Sequence, residues 1–404
     1  MIHRLLTACC ALLPVVVAAQ EKQDLHDQVS EENLKATVDK LVSFGTRNSL
    51  STKGVVEARD WLKGEFEKIA KGAKAEMKVE FHEFTDKRLK RGDEMVPQKN
   101  VAAFLKGKKH PRQAVVFGAH YDSLNLKERD PDVVAPGAND NATGTASVLE
   151  TARILSQVAP ERTLIFVAFT AEEQGLIGAW HFAKHLKDSG YDVVAMINND
   201  IVGGAKDDNL RPLNLNDIRC FSAGPHDSPS RRLARVAKLV VERRMRDLTV
   251  LLQDATDRKG RGGDHQSFNK HDIAAMRLIE TNETDRLHHT ARDTAERIHY
   301  PYHALATKAD VALLASLGSA PEAPGAPEVS GDTVTWKKVD GAARYLVGVR
   351  QGGLEFADVV ETAQAFYRFN GAVPEGGVQV SVAAMDAQGN VSLFSAEATI
   401  GGKK

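Results

Sequence analysis

The chain has 404 residues, 42% of them hydrophobic, which is enough for two domains and a large core. Its 53 basic and 54 acidic side chains leave a formal charge of -1, which excludes the broad positive field that nucleic acid or an anionic membrane surface would require. With 3 cysteines in total, a disulfide-built scaffold is excluded as well.

At the N-terminus Arg4 precedes an apolar run from Leu5 to Val17, too short to span a bilayer, and Val17-Ala18-Ala19 offers small residues for cleavage. Residues 1–19 therefore read as a signal peptide, and a secreted or periplasmic protein with no integral membrane span in its mature chain is expected. The alternative is a lipoprotein, because Leu6-Thr7-Ala8-Cys9 resembles a lipidation box; only a few apolar residues precede Cys9, which disfavours it. Cys9 and Cys10 fall within the signal, so Cys220 is left alone and no intramolecular disulfide can form.

Leu34, Val38, Leu41 and Val42 recur at helical spacing, and Val55 to Ile69 forms a second amphipathic segment, with Gly45-Thr46-Arg47-Asn48-Ser49 breaking the two. Alternation from Ala75 to Phe84 predicts a half-exposed strand. The charged stretch Asp86 to Asp93 then reads as a solvated loop, since Lys87, Arg88, Lys90 and Arg91 have no aromatic residues among them. Asn100 to Leu105 and Gln113 to Ala119 are apolar strands, the second running into His120-Tyr121-Asp122-Ser123. A helix over Thr143 to Val158 follows, then a strand, Thr163 to Phe169, that stops on Glu172-Glu173. After a helix to Lys187, the strand Val193 to Ile197 ends at Asn198-Asn199-Asp200. Strands at 218–222, 248–252 and 274–279, a helix at 228–246 and a last helix at 302–317 complete an α/β pattern. Such alternation predicts a mostly parallel mixed sheet flanked by helices on both faces, over residues 20–318. Residues 319–327 form a proline-rich linker, and 328–404 alternate with glycine turns as a small all-β sandwich.

The residues that carry chemistry sit at strand ends: His120 with Asp122, Asp140, the pair Glu172-Glu173, Asp200, and the late His288-His289. Ligands in open α/β sheets bind beyond the carboxyl ends of the strands. Singly, each of these residues reads as a cap or turn residue, and the glutamate pair as the acidic opening of a helix. Together they are the parts of a two-metal hydrolase. Imidazoles and carboxylates suit zinc, two ions can share one carboxylate, and a further carboxylate must remain off the metals to move the proton of the attacking water.

These segments resemble the secreted di-zinc aminopeptidases of metallopeptidase family 28, related in fold to glutamate carboxypeptidase. The likeness is carried, in family order, by Gly118-Ala119-His120-Tyr121-Asp122-Ser123, Pro136-Gly137-Ala138-Asn139-Asp140-Asn141, Phe169-Thr170-Ala171-Glu172-Glu173-Gln174-Gly175, Asn199-Asp200, Gly263-Asp264-His265 and His288-His289-Thr290-Ala291-Arg292-Asp293. The resemblance implies two Zn2+ ions, one on His120 and Asp200, the other on Glu173 and His289, with Asp140 shared between them. It also implies Glu172 as general base, Asp122 orienting His120, a cis peptide after Asp140, and peptide substrates shortened from the N-terminus. One departure is His288, which occupies a position where several members carry a tyrosine that polarises the reacting carbonyl. Asp264-His265 reads either as part of the pocket rim or as a cap beside the 259–263 loop. The alternatives weighed are a di-zinc dipeptidase, carboxypeptidase or amidohydrolase, a single-zinc glutaminyl cyclase, and an inactive receptor-like protein. The tail resembles a fibronectin type III module in Trp336, Tyr345 and the 382–390 stretch, which implies a surface or polysaccharide contact or a spacer.

Overall fold

Ser30 accepts a hydrogen bond from the Asn33 amide and opens α1 (Glu31–Val42), whose Leu34, Val38 and Leu41 stripe is buried. The structure is a computed structural model that describes residues 24–401 apart from 129, 205, 208, 210, 212–213, 255–261, 282 and 284–285. The segment read as a signal peptide, with Cys9, and most of the 259–263 loop thus lie outside the described residues. α2 (Gly54–Lys71) follows, burying Val55, Ala58, Leu62 and Phe66, and leads to β1 (Met77–Phe84). The charged stretch expected as a solvated loop does expose Lys87, Arg88, Lys90 and Arg91, but it is ordered as a short hairpin, β2 (Lys90–Arg91) with β3 (Glu94–Met95). Leu89 is fully buried there against Ala171 and Ile177, and Arg91 lies 2.7 Å from Asp132. A single leucine among charges carries no periodicity, which is why the sequence pattern misses it.

The chain then runs through β4 (Gln98–Leu105), β5 (His110–His120), α3 (Thr143–Leu155), β6 (Arg162–Phe169), α4 (Ile177–Asp188) and β7 (Asp192–Asn199). It continues with β8 (Asp217–Ser222), α5 (Pro229–Arg244), β9 (Thr249–Gln253), α6 (His265–Asn269), β10 (Ala275–Glu280) and α7 (Tyr300–Ser319). Among the described residues these strands form one 8-stranded sheet in the order β1-β4-β6-β5-β7-β10-β8-β9. Its centre is parallel, with β6, β5, β7 and β10 running together; β4 pairs antiparallel with both β1 and β6, and β8 pairs antiparallel with β10 but parallel with β9. Burial follows from this arrangement, since every residue of β6 is buried and the sheet is covered on both faces. Val115 and Phe117 of β5 face the larger cluster with α3 and α7, whereas Val116 faces Phe182 of α4 and Phe268 of α6. In register, His120 stands opposite Phe169 and Gly118 opposite Asn198, so the carboxyl ends of β5, β6 and β7 reach one rim together.

Beyond the proline-rich stretch lie β11 (Glu328–Ser330), β12 (Thr333–Thr335), β13 (Arg344–Arg350), β14 (Asp358–Thr362), β15 (Phe366–Arg368), β16 (Val378–Met385) and β17 (Ala398–Ile400). They make two small antiparallel sheets, β11-β12-β15 and β14-β13-β16-β17, around Val334, Trp336, Tyr345, Val347 and Val382. The outer face of the second sheet is not free. Leu346, Ala383, Met385 and Phe394 belong to the same continuous apolar cluster as Leu233, Ala237 and Leu314 of α5 and α7.

At this junction Glu397 accepts Arg350 in a bidentate pair at 2.8 and 2.6 Å and also Arg235 of α5 at 3.3 Å. All three side chains are buried, and burial draws Arg235 down to about 10 against the opposing pull of Glu397. Removing the shared acid would leave two buried cations without it. Glu397→Ala is therefore expected to destabilise the protein by about 3–5 kcal/mol, read as a lower denaturation midpoint. A midpoint equal to that of the parent would show that solvent already screens the cluster.

Candidate metal centre

The rim residues converge because the strands that carry them are neighbours and the turns after them are held in unusual backbone states. Ala171, just before the glutamate pair, Ile201, just after Asp200, and His289 itself all have positive φ (57°, 64° and 54°), although none is glycine. Such conformations are sparsely populated for ordinary residues and collect at functional sites. The Asp140-Asn141 peptide is cis.

Asp140 stands in the middle. Its Oδ1 is 3.2 Å from His120 Nε2, and its Oδ2 is 3.1 Å from His289 Nε2. His120 Nε2 also lies 3.5 Å from Asp200 Oδ1, and His289 Nε2 lies 2.9 Å from Glu173 Oε2. Each oxygen of one carboxylate thus faces a separate imidazole, and each imidazole has an acid of its own. Donor atoms of His120, Asp140 and Glu173 all fall within 4.8 Å of one another, as do those of His120, Glu172 and Asp200. Glu172 differs from Glu173 in having no imidazole at ion-pair distance from its carboxylate, whereas Glu173 meets His289; Glu172 has the imidazole of His120 only within the wider 4.8 Å group.

The supporting contacts explain why the donors hold these places. Asp122 is fully buried, and its Oδ1 and Oδ2 accept the amides of Glu172 and Glu173 at 3.2 and 3.3 Å. His120 Nδ1 lies 3.1 Å from the Asp122 carbonyl and 3.6 Å from its carboxylate, so the main-chain oxygen is the nearer partner for that ring nitrogen. Asp293 accepts the amides of Asn139 and Asp140, each at 2.9 Å. Arg277 Nε stands 3.3 Å from Asp200 Oδ2. Arg47, completely buried, is close enough to feel Asp293, Asp122 and Asp140. Asp264 takes the N-cap position of α6 without a side-chain capping bond: it is fully buried, both its oxygens lack a hydrogen-bond partner, and burial pushes it well above the usual carboxylate range. His288 is also buried, with neither ring nitrogen hydrogen-bonded.

Electrostatics tests whether cations fit here. Burial pushes Glu172 well above the ordinary carboxylate range, with Asp200, Glu173 and Asp264 adding to the push and His120 opposing it. Glu173 rises to about 7 for the same reason, burial first and Asp140 second. Burial by itself would lower His289, yet hydrogen bonds to Asp140 and Glu173 lift it to about 11. Protons are retained because acids outnumber cations in a dry space. Glu173 Oε1 is buried with no partner, an orphan acceptor in this set of imidazoles and carboxylates. Such donors are those that zinc takes, and zinc would replace the retained protons. The residues fit the metal.

Sequence reasoning names the seven residues His120, Asp122, Asp140, Glu172, Glu173, Asp200 and His289, and the structure brings all of them to one site. It assigns no part to Arg47, Ser49, Arg277 or Asp293. For Asp293 a signal existed, since it closes the same motif as His289; the others follow no strand-end rule.

Comparison with known proteins gives concordant findings. The model of the family described as Peptidase family M28 matches residues 100–314. A probable zinc metalloprotease of Pyrenophora tritici-repentis is 34% identical over 339 residues, covering 76% of this chain and 78% of that protein. Among solved structures, the LapA aminopeptidase of Legionella pneumophila superposes with a TM-score of 0.56 at 24% identity over 71% of this chain and 72% of that one. A glutaminyl cyclase of Porphyromonas gingivalis shares the fold as well, with a TM-score of 0.54, 19% identity, and coverage of 72% and 98%.

Proposed function

Because the chain belongs to peptidase family M28 and is a zinc metallopeptidase, we propose that it is an exported di-zinc aminopeptidase that removes residues from the N-termini of peptides. The observation that carries the reading is the division of Asp140, one oxygen toward His120 and Asp200, the other toward His289 and Glu173. In this reading His120 and Asp200 hold one ion, His289 and Glu173 the other, and Asp140 both. Zinc bound there supplies a Lewis acid for the scissile carbonyl and lowers the pKa of water.

The rest of the chemistry falls to the chain itself. Glu172, whose amide is tied to Asp122 and whose carboxylate has no imidazole at ion-pair distance, takes the proton of the attacking water on a carboxylate oxygen and returns it to the departing amine. Asp122 keeps His120 and the Glu172-Glu173 turn in one frame. Support for two ions over the single ion of a cyclase is that both imidazoles flank Asp140. Support for N-terminal trimming is the fold shared with the Legionella aminopeptidase. Export rests on the signal-like residues 1–19, and the fibronectin-like tail is read as a contact or spacer module.

The test is digestion of one defined peptide by the purified protein, with and without chelator, followed by mass from both ends. Stepwise N-terminal loss that chelator abolishes is expected. Shortening from the C-terminus, or loss of ammonia from an N-terminal glutamine with no peptide bond broken, would replace the aminopeptidase reading by a carboxypeptidase or a cyclase.

A further inference from the structure

The turn between α1 and α2 looks like a mere helix break in sequence, but it reaches three of the segments that carry the metal donors. Arg47 donates Nε to the Tyr121 carbonyl at 2.7 Å, Nη1 to the Leu41 and Pro136 carbonyls at 3.1 and 2.5 Å, and Nη2 to the Gly137 carbonyl at 2.8 Å. Tyr121 directly follows His120, and Pro136 and Gly137 directly precede the Asp140 segment. A planar fork with fixed donors thus ties these two loops to the end of α1, where cations are also favoured by the helix dipole. The approach is close. A Cβ on Gly137, whose φ is 52°, would stand 2.9 Å from Arg47 Nη2 and 2.6 Å from the Asp140 carbonyl oxygen.

Two residues on, Ser49 reaches the third segment. It is fully buried, and its Oγ accepts the Ala171 amide at 2.9 Å. The same oxygen lies 3.2 Å from Asp122 Oδ2 and 3.2 Å from Thr170 Oγ1. Thr170 spends its own proton on Gln98 Oε1 at 2.9 Å, and a serine has one proton to give, so that proton goes to the charged acceptor, Asp122. Gln98 completes the clamp by donating Nε2 to the Ser49 carbonyl at 2.8 Å. Ser49 therefore sits between Asp122, which holds the amides of Glu172 and Glu173, and the strand end from which those glutamates emerge.

We propose that Ser49, carried on the turn that Arg47 anchors, is a positioning residue that sets the Asp122 carboxylate and the Ala171–Glu173 turn in one register, so that the His120 and glutamate donors are presented together. The proposal rests on the zinc-peptidase reading above, and its effect passes through Asp122 rather than through contact with substrate.

The experiment compares the full chain with Ser49→Ala, Asp122→Asn and the double variant. Zinc affinity is measured by competition with a chromophoric chelator, kcat and KM on an aminoacyl p-nitroanilide, and folding by thermal melting. Ser49→Ala is expected to melt near the parent, to lose about 10-fold in zinc affinity and in kcat, and to keep KM within about twofold. The double variant is expected to be no worse than Asp122→Asn alone, because the two residues act as one unit. Parent-like zinc affinity and kcat in Ser49→Ala, or losses that multiply in the double variant, would overturn the proposal. If Ser49→Ala does not fold, Gln98→Met, which releases the Ser49 main chain and spares its hydroxyl, must show the same non-additivity with Asp122→Asn; additive losses there overturn it too. The same non-additive loss of zinc affinity in the variants of a parent that cleaves no peptide would sink the peptidase reading and leave the positioning role standing.

Discussion

Glu172→Gln is expected to keep the zinc content of the parent while kcat falls by about 10²–10⁴-fold, the contribution of a positioned general base. The argument rests on what distinguishes two adjacent glutamates. Glu173 Oε2 meets His289 at 2.9 Å and its other oxygen is buried without a partner, whereas Glu172 has no imidazole at ion-pair distance and its amide is tied to Asp122. Glutamine keeps the shape of the side chain and its amide tie to Asp122 but cannot accept the proton of water. The companion variant Glu173→Gln should lose zinc, since a neutral amide replaces a charged donor at the centre of the site. Metal analysis beside single-turnover kinetics separates the two. Zinc loss in Glu172→Gln with retention in Glu173→Gln would mean that the roles are the reverse of those proposed.

Truncation after Ala320 is expected to abolish soluble, active protein rather than release an independent catalytic unit. The reason is the junction. Phe394, 1% exposed, packs edge-on against Phe356 with ring centroids 4.7 Å apart, and both lie on the apolar cluster that includes Leu233 and Leu314. Ser316 of α7 accepts the Val391 amide at 2.9 Å, and Arg235 stacks over Phe356 at 5.2 Å. Deleting the tail would open this face of α5 and α7 to water and strand Arg235 without Glu397. Patches of that kind on a soluble domain lead to aggregation. The measurement is soluble yield, melting and peptidase activity of residues 20–320 against the full chain; a monodisperse truncated protein of full activity would show that the junction is dispensable.

How much of this was legible beforehand differs by feature. β5, β6 and β7 announce themselves as apolar runs that stop on His120, on Thr170 ahead of the glutamates, and on Asp200. The buried parallel centre of the sheet follows from those runs alone. The hairpin at Leu89 was illegible because one apolar residue has no period. Asp264, read as a rim or cap residue, does take the N-cap position of α6, but its full burial was illegible, since a buried carboxylate and an exposed turn aspartate look the same in one dimension.

By itself the sequence determined which donors exist and that they lie at strand ends, because local periodicity places strand boundaries and side-chain chemistry names the donors. Only the tertiary structure decided how they are shared. The facing of each Asp140 oxygen toward a different imidazole, the reach of Ser49 to Ala171 across 122 residues of chain, and the docking of the tail on α5 are contacts between distant segments. Such contacts depend on how whole elements pack, and packing leaves no repeat in the chain that a reading along it can detect.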